Sequence, residues 1–144
     1  MSPATPWGKF SLPGAGSAYA KGRSPEFRRG IRQIFGPLVE WVEDWPSGEH
    51  AWLMAEAPAQ GSLSSFFREL ERRLESAGSL WIVFPKKPFS NEVSFPFAWS
   101  DVQKAGLDAG LVDNKIAAFS TRLTSIRFVV PLARRRGRAP GSPA

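Results

Sequence analysis

Two uninterrupted apolar runs of strand length, HAWLMAEA (50–57) and SLWIVF (79–84), lie on either side of a segment with helical periodicity. A strand that is apolar at nearly every position has no face to give to water, so both runs are expected to be buried on two sides. Between them, Leu63, Phe66, Phe67, Leu70 and Leu74 share one face of SLSSFFRELERRLESAG, with Arg68, Glu69, Arg72, Arg73 and Glu75 on the other. Glu69 and Arg73 make a favourable i, i+4 pair, and Gly78 is expected as the left-handed stop. A buried strand, a covering helix and a second buried strand together argue for a parallel crossover.

The flanking segments extend this pattern. In SPEFRRGIRQIFG, Ser24 suits the N-cap, Pro25 the first helical position and Glu26 the positive helix end. Phe27, Ile31, Ile34 and Phe35 form its buried stripe, and Gly36-Pro37 ends it. LVEWVEDW (38–45) alternates as a short strand with Val39, Trp41 and Trp45 on one face. After 79–84 comes a loop rich in Pro, Phe and Trp. SDVQ then reads as a capping box, Ser100 to Gln103, opening a short helix closed by Gly110. NKIAAFS (114–120) and SIRFVVP (125–131), joined by TRLT, read as an antiparallel hairpin. The expected fold is therefore α/β: a mostly parallel open sheet with helices on both faces, Rossmann-like but incomplete, closed by an antiparallel C-terminal hairpin. Residues 1–23 are expected to be a flexible leader, 24–132 a single domain and 133–144 a disordered basic tail.

A chain of 144 residues suffices for one core that buries roughly 70% of the unfolded surface. No run approaches the ~20 apolar residues of a membrane span, and the N-terminus has no apolar stretch of the signal-peptide kind. The chain has no cysteine, which removes disulfides, thiolate metal sites and thiol nucleophiles and fits a cytoplasmic setting. The net charge of +6 is concentrated at the ends. Lys9, Lys21, Arg23, Arg28 and Arg29 stand against Glu26 in the first thirty residues, and Arg134, Arg135, Arg136 and Arg138 meet no acid in the last fourteen. Residues 31–130 carry ten basic and twelve acidic side chains, so the body is not basic. The terminal arginines can grip phosphate backbones without reading sequence.

LWIVFPKK followed by AGLDAGLVDNKIAAFSTRLTSIRFVV resembles the C-terminal signature of an uncharacterised bacterial family, domain-of-unknown-function (DUF) family 3052. The match covers residues 50 to 131 and is specific in the last fifty. Leu123 stands at a turn position where the family pattern has tryptophan, and the early strand of the family is not recognisable. The resemblance implies a fold similar to the later part of class I methyltransferases, with no established activity.

Candidate chemistry is sparse. A dinucleotide or methyltransferase cofactor site needs a glycine-rich turn after a first strand. The available segment, PGAGSAYAKG (13–22), follows no recognisable strand, so no cofactor is expected. His50 is the sole histidine, which leaves a metal site or a Ser-His-Asp triad with one arm at most. It is expected to be structural. Glu56 ends its strand at the ligand rim as a lone carboxylate, and Asp113 and Lys115 suggest a local turn and ion pair at the opposite end of the sheet. Lys86 and Lys87 emerge at the same rim as Glu56, and if the strand into STRLT runs parallel to 80–84, Ser120, Thr121 and Arg122 join them. Such a group suits a phosphate or carboxylate. Phe89, Phe95, Phe97 and Trp99 can form a lid or partner patch, or fold back over the sheet edge. With no catalytic constellation, the leading expectation is a non-catalytic domain that binds a protein partner or a small anion. A nucleic-acid-associated protein comes second, and a cryptic enzyme third.

Overall fold

The computed structural model describes residues 8–13, 17–92 and 94–137. Six strands form one sheet in the order β2-β1-β3-β4-β6-β5: β1 (Ala18–Lys21), β2 (Glu40–Trp41), β3 (His50–Glu56), β4 (Leu74–Pro85), β5 (Val112–Ala118) and β6 (Leu123–Val129). The pairs β1–β2, β1–β3 and β3–β4 are parallel, whereas β4–β6 and β5–β6 are antiparallel. Four helices accompany them: α1 (Pro25–Phe35), α2 (Leu63–Arg72), α3 (Trp99–Asp108) and α4 (Leu132–Gly137). The expected α/β class and the C-terminal hairpin are both present.

The apolar runs are continuous because each face of the sheet has its own core. Trp52, Met54, Trp81 and Val83 point to the α1 side, packed with Phe27, Ile31 and Phe35. Leu53, Ala55, Leu80 and Ile82 point to the other side, against Phe67 and Leu70 of α2 and Val102 of α3. On that second side Gly106 of α3 lies so close to the sheet that an added Cβ would overlap the Phe128 ring. Gly106→Ala is therefore expected to cost about 1–3 kcal/mol by overpacking, measured as a lower free energy of urea unfolding.

Several expectations need correction. The segment assigned as a flexible leader contains β1, an interior strand of the sheet, and a 3-10 turn (Gly8–Phe10) whose Phe10 is fully buried. The Phe10 ring docks from the α1 face, so the start of the described chain belongs to the core. β2 has only two residues, because Leu38 completes a 3-10 turn begun by Gly36-Pro37. Helix α2 ends at Arg72, and Leu74 already belongs to β4 opposite His50. The register then slips by a bulge before Trp52 meets Ser79. Gly78 lies in that bulge with no left-handed φ; a Cβ there would sit 2.9 Å from the Ala51 carbonyl oxygen. Close backbone approach, and not helix termination, requires this glycine. The N-cap of helix α3 is Ala98, two residues before the expected Ser100, and Asp101 accepts its N–H at 2.8 Å. Gln103 instead donates to Asp113 at 3.2 Å. Residues 133–137 of the expected tail belong to α4, which begins at Leu132, and 138–144 lie outside the described residues.

Candidate functional site

The C-terminal ends of β1, β3 and β4 meet the β5–β6 turn on one rim. The chain runs from β1 outward to β2 and then crosses back to β3, so the sheet's topological switch falls between β1 and β3. In open α/β sheets this crevice is where ligands bind. Here it is bounded by the turn Lys21-Gly22-Arg23-Ser24 and by Glu56.

Glu56 dominates the crevice. Its Oε1 accepts the Arg23 N–H at 2.6 Å and the Ser24 N–H at 2.8 Å, ahead of the first turn of α1. The Ser24 hydroxyl accepts from Phe27 N–H at 3.2 Å, so the entry to α1 is capped by two side chains. A carboxylate here also complements the positive end of the helix dipole. Gly22 is hemmed in: an added Cβ would overlap the Phe27 ring and lie 2.8 Å from Glu56 Cβ. Small cavities of about 160 and 260 Å³ lie beside Glu56, which lines both.

Farther along the rim, past Pro85, a much larger cleft of about 800 Å³ opens between the end of β4 and the 86–100 segment. Phe84 and Phe95 form its floor, stacked with ring centroids 6.1 Å apart, and Phe97 meets Phe95 edge-on at 5.5 Å. Trp99 stands at one wall, 38% exposed. Lys86 and Lys87 line the cleft together with Ser90, Asn91, Ser100 and Thr124. Among the described residues, no carboxylate lines it.

The residues singled out from sequence separate into two groups. β5 does run parallel to β4, and the Lys86 N–H donates to the Arg122 carbonyl at 2.8 Å, so Ser120, Thr121 and Arg122 share the rim with the lysines. Their polar groups turn elsewhere. The Ser120 hydroxyl donates to Glu26 of α1, the Arg122 N–H approaches the same carboxylate at 3.3 Å, and the Arg122 guanidinium pairs with Glu92 at 2.8 Å while lying over Phe89. Thr121 is exposed. Of the aromatic loop residues, Phe95, Phe97 and Trp99 line the cleft, whereas Phe89 sits under Arg122.

The remaining candidates make local contacts away from the cleft. His50 is buried; its Nε2 donates to the Pro46 carbonyl at 2.9 Å, which leaves Nδ1 to accept the Ser17 hydroxyl at 3.3 Å. Asp113 and Lys115 do not pair: the Lys115 ammonium donates to the Lys9 carbonyl at 2.6 Å. Arg134 bonds the Gly110 carbonyl and Glu71, and Arg135 the Val130 carbonyl at 2.8 Å. The Arg136 side chain and Arg138 lie outside the described residues. Among the described residues no group of three His, Cys, Asp or Glu can hold a metal, and no helix is long and apolar enough to cross a membrane.

Sequence reasoning missed the joining of Glu56 to the β1–α1 turn, because β1 itself was not recognised. The alternation Ala18-Tyr19-Ala20-Lys21, with both alanines buried, was the available signal.

No protein-family model and no curated protein matches the chain. Solved structures do. The chain is similar to the CcbJ methyltransferase from Streptomyces caelestis, with a TM-score of 0.58 at 10% identity over 84% of this chain and 86% of that one. It is similar to the N-methyltransferase NodS from Bradyrhizobium japonicum, with a TM-score of 0.56 at 10% identity over 82% and 88%. A TehB-like SAM-dependent methyltransferase from Corynebacterium glutamicum gives 0.50 at 14% identity over 80% and 68%. The fold is methyltransferase-like. These neighbours also correct the expectation of a non-catalytic binding module. The proteins that share the architecture are enzymes, and the cryptic-enzyme alternative accommodates them better.

Proposed function

We propose that the chain is an enzyme of the methyltransferase type, with its substrate seated in the cleft of about 800 Å³ at the sheet's C-terminal rim. The observation that carries this reading is the strand order β2-β1-β3-β4-β6-β5, which sets a switch-point crevice and the cleft side by side on one rim. The resemblance of residues 50–131 to DUF family 3052 supports the same fold and adds no activity of its own. The absence of cysteine supports a cytoplasmic setting.

The methyl donor of this fold is S-adenosylmethionine, and the crevice as folded does not fit it. The turn has one glycine, and the space beside that glycine is filled by Phe27 and Glu56. Its Arg23 and Ser24 amides are already spent on Glu56. The adjoining cavities, about 160 and 260 Å³, each fall below the ~300 Å³ at which ligand pockets begin. Glu56 lines both, so its departure from the two amides would free those donors and enlarge both cavities.

Photochemical crosslinking with radiolabelled S-adenosylmethionine tests the reading. Label that S-adenosylhomocysteine competes away is expected, more strongly on a folded Glu56→Ala variant than on the wild type. No competable label on either the wild type or a folded Glu56→Ala variant would overturn it.

A further inference from the structure

The cleft beside β4 combines three features that no structural role accounts for. The first is its aromatic wall. Phe84 and Phe95 are buried and satisfied by each other, but Phe97 and Trp99 present ring surface to the cavity, and Trp99 remains 38% exposed. A slot of this kind takes a flat apolar body, and its volume of about 800 Å³ falls within the ~300–1,000 Å³ of small-molecule pockets.

The second feature is charge without a counter-charge. Lys86 and Lys87 line the cleft, and neither has an ion-pair partner among the described residues. The neighbouring arginine differs in this respect, being neutralised by Glu92 at 2.8 Å. The two lysines thus retain their positive field over a surface that carries no acid among the described residues.

The third feature is the start of α3. Trp99 and Ser100 form the first turn of this ten-residue helix and line the cleft. The N-cap is Ala98, which has no side-chain oxygen to accept their N–H groups. Asp101 in the same turn accepts the Ala98 N–H at 2.8 Å and offsets the positive end of the helix dipole, so this turn offers the cleft the Trp99 and Ser100 N–H groups and not a net field.

We infer that the cleft binds a small aromatic carboxylate, its ring against Phe97 and Trp99 and its anionic group toward Lys86 and Lys87. The inference rests on the proposed function in making that molecule the substrate; the ligand class itself rests on the cleft alone. Asn91 and Thr124 on the polar edge are the side chains placed to donate hydrogen bonds to the anion, since the Ser90 hydroxyl is committed to the Lys87 carbonyl at 2.9 Å.

Biphenyl-4-carboxylate, its neutral carboxamide and inorganic phosphate separate the contributions when each is titrated against the full chain by ligand-observed NMR. The carboxylate is expected to bind at least tenfold more tightly than the amide, and phosphate alone not measurably. A Lys86→Gln/Lys87→Gln double variant is expected to lose about tenfold for the carboxylate, leave the amide unchanged and keep its melting temperature, since neither ammonium is paired. Phe97→Ala is expected to weaken both aromatic probes. Equal binding of acid and amide, or acid binding that survives the double variant, overturns the inference. Should the acid bind as described while no S-adenosylmethionine crosslink forms, the ligand class stands and the enzyme reading falls. Should competable crosslinking form while the acid does not bind, the enzyme reading stands and the ligand class falls.

Discussion

Deletion of residues 1–13 is expected to abolish the cooperative unfolding transition of the domain. Phe10 carries the effect. Its ring is fully buried and packs edge-on against Phe35 at 5.3 Å, Trp81 at 5.0 Å and Phe119 at 6.3 Å. Loss of such a side chain alone costs about 3–5 kcal/mol. Its carbonyl oxygen also accepts two indole N–H groups, from Trp52 and Trp81, both at 2.8 Å. Those tryptophans belong to adjacent strands at the centre of the sheet, and both are fully buried. Without the carbonyl, two buried donors are orphaned at about 1–3 kcal/mol each. The total rivals the ~5–15 kcal/mol by which domains are stable. Near-ultraviolet circular dichroism and a urea titration would measure the loss. A truncated chain that retains a sharp transition within about 1 kcal/mol of the full one would show that the segment is dispensable. Phe10→Ala separates the two contributions, because it removes the ring and retains the carbonyl.

The same segment marks where the sequence stops being readable. β3 and β4 are legible because both of their faces are apolar, and α1 is legible because Ser24, Pro25 and a regular stripe agree. β1 is not, being four residues long with two alanines where larger side chains usually announce a strand. The glycine-rich segment has the composition of a ligand loop, yet it precedes β1, and the actual β1–α1 turn holds Gly22 alone. Leu74 misleads differently. It satisfies the helical spacing of α2 and is fully buried, but it is buried as the first residue of β4. One-dimensional periodicity does not distinguish those two environments.

The candidate site divides in the same way. That two lysines follow a buried strand, and that aromatic residues follow them, can be read directly from PKKPFS and FPFAW. That they enclose one cleft depends on the loop folding back until Phe95 stacks on Phe84, eleven positions earlier in the chain. The diversion of Ser120 and Arg122 to Glu26 joins residues separated by 94 and 96 positions. No local pattern encodes such a pairing; it follows from α1 and the β5–β6 turn reaching the same rim.

Glu56→Ala is expected to move stability and ligand affinity in opposite directions. The carboxylate satisfies the Arg23 and Ser24 amides at 2.6 and 2.8 Å and sits at the positive end of α1. Hydrogen bonds to a charged group contribute about 1.5–3 kcal/mol, so the variant is expected to unfold about 2 kcal/mol more easily. The same truncation returns both amides to the crevice and enlarges the cavities of about 160 and 260 Å³, both of which Glu56 lines. A ligand with its own carboxylate, as S-adenosylmethionine has, then no longer competes with an internal one. Its affinity by titration calorimetry is expected to rise at least tenfold over the wild type. Glu56→Gln separates charge from bulk: its amide oxygen can still accept from the turn, so it is expected to recover part of the stability and little of the affinity. A mere loss of packing would lower stability and leave binding unmoved or weaker. That outcome would make Glu56 a cap of α1 and nothing more, and would remove the reason to regard the crevice as a closed cofactor site.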